Sequence, residues 1–144
     1  MKEELKHRLL KHLKFIEDEI KDYPKFRQLT KDEYFKDKDR RRSVERWIEN
    51  IINSSIDISK VILTLEDRRL PDTYKEIVLS LSYINGLKID SAETLAGWVW
   101  FRNVIAHEYL DIRWASIKRF VDETEAGYTN FIQAVEAYLE KKLR

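Results

Sequence analysis

The chain contains no cysteine, which excludes disulfide frameworks, thiolate metal sites and cysteine nucleophiles together. Glycine and proline are scarce, three and two residues in 144, leaving little turn material for a many-stranded sheet. No stretch approaches the roughly 20 uninterrupted apolar residues that a membrane helix requires. The N-terminal MKEELKHRLLKHLKF lacks the apolar block of a signal peptide. An excess of one charge is missing too. With 27 basic residues against 26 acidic ones, any affinity for nucleic acid must come from a local patch and not from the field of the whole protein. These absences predict a soluble, cytoplasmic protein, and the length predicts one domain over residues 1–144. What is present, 43% hydrophobic and 37% charged residues, suits helices with one buried and one solvated face.

The apolar spacing bears this out. Leu5, Leu9, Leu13, Ile16 and Ile20 recur every three or four residues, predicting an amphipathic helix that ends before Tyr23-Pro24. Its basic face, which includes Lys6, His7, Arg8, Lys11 and His12, reads as solvated. Thr30, followed by Asp32 and Glu33, is a helix start, and a long helix is expected after it. Within it Val44, Ile48, Ile51, Ser55, Ile58, Ile62 and Leu65 keep heptad spacing, while Trp47, Ile52 and Ile56 widen the stripe enough to face two neighbours. In the charged run before this stripe, Arg41 and Glu45 stand at ion-pairing distance four. Pro71 suits the first turn of a third helix that stops at Asn85-Gly86. Asp90 and Ser91 can cap a fourth. A last long helix carries Trp114, Ile117, Val121, Thr124, Tyr128, Phe131, Val135 and Tyr138, with Gly127 tolerable there only for close packing. The expected fold is all-α, an antiparallel bundle of about five helices.

Phosphate loops, dinucleotide fingerprints, nucleophile elbows and HExxH zinc motifs are all missing, and the chain has three histidines. The conspicuous segment is LAGWVWFRNVIAHEY (95–109), apolar nearly all the way round a helical wheel and therefore expected to be buried on several sides. With Arg102 at 0°, Ala106 falls near ~40°, Asn103 near ~100°, His107 near ~140° and Tyr109 near ~340°. Small Ala106 between the polar groups leaves room for a ligand. A buried guanidinium must be neutralised, either by a carboxylate of a neighbouring helix or by an anion such as a phosphate. His107 is open to two readings as well, a cation favoured at a helix C-terminus or a proton-transfer group. Tyr109 could be a core aromatic or a group at the site.

The segment FRNVIAHEY (101–109) resembles the motif of the HepT-like toxins of the HEPN superfamily, small all-helical RNases. That motif is an arginine, four residues, a histidine, one residue and a tyrosine. The upstream RRSVERWIENIINSSIDIS (41–59) is similar to the second helix of that family, and LPDTYKEIVLSL with Asn85-Gly86 to the third, so the resemblance spans about 41–114. It implies a HEPN-like bundle that forms a homodimer with a composite cleft between paired motif helices. It also implies a metal-independent endoribonuclease acting on RNA, without a cofactor or a metal site, and a minimal nucleotidyltransferase antitoxin as partner. On that resemblance Arg102 holds the scissile phosphate, His107 transfers the proton, Asn103 orients the phosphate or the 2′-hydroxyl, and Tyr109 is the residue adenylylated by the antitoxin. Glu108, in the variable position, would locally weaken anion binding. The competing reading is a non-catalytic HEPN module that binds a nucleotide or docks a partner, since the superfamily includes inactive members.

Overall fold

The computed structural model describes residues 2–143, which form nine α-helices and two short 3-10 turns. No strand occurs among the described residues, and none of their helices is long and apolar enough to cross a membrane. Helix α1 (Lys2–Glu19) passes through a 3-10 turn at Ile20–Asp22 into α2 (Tyr23–Arg27), so Pro24 opens a helical turn and not a long connection. Helices α3 (Lys31–Lys36) and α4 (Lys38–Leu65) follow, then α5 (Tyr74–Leu79) with its 3-10 extension Ser80–Tyr83. The remaining helices are α6 (Ala92–Trp98), α7 (Phe101–His107), α8 (Leu110–Glu123) and α9 (Glu125–Leu143).

Three of the expected helices are each divided in two. Thr30 does start a helix, in a reciprocal box with Glu33. That helix stops at Asp37, whose carboxylate caps a new one by accepting from the backbone N–H groups of Asp39 and Arg40 at 3.1 Å each. The apolar segment 95–109 turns at Val99–Trp100, which admits Trp98, Val99 and Phe101 to the core while leaving Trp100 56% exposed. The last helix bends at Thr124, whose hydroxyl donates to the Phe120 carbonyl at 2.6 Å and meets the Tyr23 hydroxyl at 2.6 Å. Two caps also differ from expectation. Thr73, not Pro71, starts α5 by accepting from the Glu76 N–H at 3.2 Å. Ser91 stands at the N-cap of α6, but its hydroxyl makes no capping bond and is buried without a partner. The third helical stretch ends at Tyr83, where Ile84 turns extended (φ −87°, ψ 127°), earlier than the Asn85-Gly86 stop expected; Gly86, at φ +89°, lies in the turn that follows.

Helix α4 is the axis of the bundle, buried on several faces along most of its length. The Trp47 indole N–H donates to the Glu19 carbonyl at the end of α1 (2.7 Å), so α1 runs antiparallel to it. At the other end Tyr138 of α9 donates to Glu66 at 2.6 Å and Lys142 pairs with the same carboxylate at 2.9 Å, which ties the last turns of α9 to the C-cap of α4. The Tyr138 hydrogen bond chiefly holds the Glu66 carboxyl below its ordinary range. Gly127 sits where α9 crosses α6: a Cβ there would stand 3.2 Å from both the Leu95 side chain and the Ser91 hydroxyl, so the close packing expected of it is observed. One aromatic cluster fixes the corner that matters for function. Phe120 stands edge-on to Trp98 (5.3 Å between centroids) and to Trp47 (5.9 Å), and stacks near Phe101 (6.2 Å).

Candidate functional site

Helix α7 is pinned to the core by Phe101 and Val104, 0% and 2% exposed. Because these two share one face at spacing three, the residues between and after them must project outward. Arg102, Asn103, Ala106 and His107 are accordingly all exposed. This corrects the expectation of a helix buried on several sides: α7 is short and amphipathic, and of the aromatic residues in the segment Trp98 and Phe101 are buried while Trp100 is exposed. Arg102 joins no ion pair among the described residues, so the carboxylate reading of its charge is not the one observed. Its guanidinium lies over the ring of Tyr74 at 5.5 Å, and Lys60 Nζ approaches the same ring at 4.9 Å.

An open cleft of about 580 Å³ lies beside this ring. Arg102, Asn103 and Ala106 of α7 form one wall, with Trp100 at the turn, Tyr74 and Lys75 of α5 opposite and Glu49 of α4 below. Ala106 thus provides the space its size suggested. His107 and Tyr109 do not line the cleft. His107 is the last residue of α7, after which Glu108 turns extended (φ −92°, ψ 158°), and Tyr109 is the N-cap of α8, 82% exposed. The wheel angle expected for Tyr109 therefore does not apply, because the helix ends two residues before it. Among the described residues no group of three or more His, Asp or Glu side chains is placed to hold a metal ion.

Behind the site stands a group that the sequence did not reveal. Glu45, 8% exposed, accepts hydrogen bonds from the Tyr34 hydroxyl and from the Arg113 guanidinium, whose Nε lies at 3.0 Å. Arg41, expected to pair with Glu45, donates instead to the carbonyls of Tyr34 and Phe35 at 3.1 Å each. Burial, reinforced by Glu45, raises the Tyr34 phenol above its ordinary range. Burial opposes the Arg113 charge, but the hydrogen bond and charge of Glu45 outweigh it and raise the guanidinium's pKa. The Arg113 backbone N–H donates to the Tyr109 carbonyl at 2.9 Å in the first turn of α8, so the residue whose side chain Glu45 holds stands one turn after the motif tyrosine. Glu45→Ala would leave Arg113 charged and short of its partner. A loss of roughly 3 kcal/mol in urea unfolding is expected, at the low end for a broken buried pair because a fifth of the Arg113 side chain stays in water. A change below about 0.5 kcal/mol would show the pair to be incidental.

Helix α7 thus presents to the cleft an amide and an arginine that joins no ion pair among the described residues, and carries an exposed histidine at its end. The family model described as Ribonuclease HepT-like matches residues 16–135, and the chain belongs to this family. No curated protein and no solved structure matches the chain. The match encloses the motif from Arg102 to Tyr109 and extends beyond the resembling segment 41–114 on both sides. The all-α, HEPN-like fold expected from the sequence is the one observed.

Proposed function

We propose that this protein is a metal-independent endoribonuclease toxin that works as a homodimer and is neutralised by a minimal nucleotidyltransferase antitoxin through adenylylation of Tyr109. The observation that carries the reading is the joint outward display of Arg102, Asn103 and His107 on α7, inside the segment matched to a ribonuclease family. In RNA cleavage by the strand's own 2′-hydroxyl, a base removes the hydroxyl proton and the 2′-oxygen attacks the adjacent phosphorus. The bond to the 5′-oxygen breaks, and an acid protonates that leaving oxygen. Arg102 stabilises the charge on the phosphorane, Asn103 orients it, and His107 moves a proton. One chain has one motif histidine. A two-fold axis supplies the second, giving the acid and base together. Support for such an axis comes from apolar surface close to the motif: Trp100 is 56% exposed, Tyr109 82% and Ile112 46%.

Purified protein should cleave RNA in the presence of a chelator and leave cyclic-phosphate or 3′-phosphate ends, and should sediment as a dimer at micromolar concentration. Inhibition by chelator that added metal reverses would overturn the mechanism, and a monomer that cleaves would overturn the composite site. One observation favours the second reading, a non-catalytic nucleotide- or partner-binding module: Glu49 lines the cleft and places a carboxylate near Arg102. That reading predicts RNA or nucleotide binding with no cleavage.

A further inference from the structure

The Tyr74 ring is half-exposed, so it is not a core plug. Two cations from different helices converge on it: Lys60 Nζ of α4 at 4.9 Å and the Arg102 guanidinium of α7 at 5.5 Å from the ring centroid. Neither cation joins an ion pair among the described residues. Lys75, next in sequence to the ring, lines the cleft with Arg102, Lys60 reaches the ring from outside that lining, and Glu49 is the one acidic side chain among the cleft's described lining residues. Three cations against one carboxylate leave an excess of positive charge whose mutual repulsion an anion placed among them relieves. The ring supplies the fixed element. An aromatic face holds a cation by its quadrupole without neutralising it, which leaves the charge free for a ligand.

Resting on the reading of RNA as the ligand, we infer that Lys60 binds the phosphate neighbouring the one held by Arg102, and that Tyr74 is the positioning residue that fixes both cations. The ligand class is then a strand with successive phosphates, bound at two points, and not a mononucleotide bound at one. Arg102 and Lys60 come from α7 and α4, helices separate in sequence, so the bundle and the ring that both cations contact set the spacing of the two charges.

The test is the salt dependence of binding of a 2′-O-methylated oligoribonucleotide. This probe lacks the nucleophilic hydroxyl, so the readout is independent of cleavage. A protein without ribonuclease activity can pass the test and an active ribonuclease can fail it. Each phosphate contact on a single strand contributes about 0.7 to the slope of log affinity against log salt. Lys60→Gln should reduce the slope by about 0.7, Arg102→Gln by a similar amount, and Lys141→Gln on the exposed end of α9 should leave it unchanged. Tyr74→Leu should weaken binding several-fold, and Tyr74→Phe, which keeps the ring face, should restore it. In a chain carrying both Lys60→Gln and Arg102→Gln, Tyr74→Leu should have no further effect, an outcome that a merely structural tyrosine would not give. Circular dichroism establishes that each variant is folded. An unchanged slope in Lys60→Gln, a Tyr74→Phe variant as weak as Tyr74→Leu, a mononucleotide that binds as tightly as the strand, or a wild-type protein that does not bind the strand overturns the inference.

Discussion

Replacing His107 with alanine is expected to lower RNA cleavage by roughly 100-fold or more while leaving the unfolding transition where it is. The two halves of that expectation have separate grounds. His107 is exposed at the end of α7 and takes part in no side-chain hydrogen bond or ion pair among the described residues, so its removal opens no cavity and orphans no buried partner. The imidazole's place in the proposed mechanism is proton transfer, and each protomer of the dimer contributes the same group, so one substitution removes both acid and base. Arg102→Ala should cause a comparable loss. Arg102→Lys should recover only part of it, because an ammonium cannot offer the paired donors of a guanidinium to a phosphate. A mixed dimer of one wild-type and one His107→Ala protomer tests whether the site is composite: it should be nearly as inactive as the His107→Ala homodimer if acid and base come from different chains, and should keep the intact chain's share of the activity if each chain works alone. Full activity in the His107→Ala homodimer would remove histidine from the mechanism.

How far the sequence carried these conclusions depends on the range of the interaction concerned. The apolar period of α1 and α4, the Thr30 box and the close approach at Gly127 were legible because each follows from residues a few positions apart, or from one residue whose size permits little else. The motif was legible as a pattern of residue types. Its surroundings were not. The turn at Val99–Trp100 carries no glycine or proline, and the run LAGWVWF gives an unbroken apolar signal, so the helix breaks where tertiary packing around Phe120 requires it. That break changed a helix read as buried all round into a short one with an exposed polar face. The Glu45–Arg113 pair joins positions 68 residues apart, and a sequence offers Arg41, four positions from Glu45, as the nearer partner. Tyr74, as the first residue of α5, lies at the rim of the core, and its contacts with Lys60 and Arg102 join helices that the local sequence does not link.

Co-expression with a cognate nucleotidyltransferase and ATP should increase the mass of this chain by one or more AMP units on Tyr109 and abolish cleavage. The phenol is suitably placed for it. Tyr109 is 82% exposed and stands in extended backbone (φ −71°, ψ 160°) between the end of α7 and the start of α8, so a second active site can reach the hydroxyl without unwinding a helix. In the reaction the phenolic oxygen attacks the α-phosphorus of ATP, the new phosphodiester bond forms as pyrophosphate leaves, and the phenolic proton passes to a base of the partner enzyme. The product carries a negative phosphate two residues from His107, beside the surface proposed to bind RNA. That anion repels the substrate's phosphates, and the attached adenosine fills space a nucleotide would need. Arg113 bonds the Tyr109 carbonyl and is held by Glu45, so the backbone that carries the modified side chain is anchored and the added group stays near the motif. Tyr109→Phe, which keeps the ring and removes the nucleophile, should stay toxic even when the partner is present. If mass spectrometry finds Tyr109 unmodified while the toxin is nevertheless neutralised, inhibition is by occlusion within a complex, and Tyr109→Phe will then be neutralised as readily as the wild type.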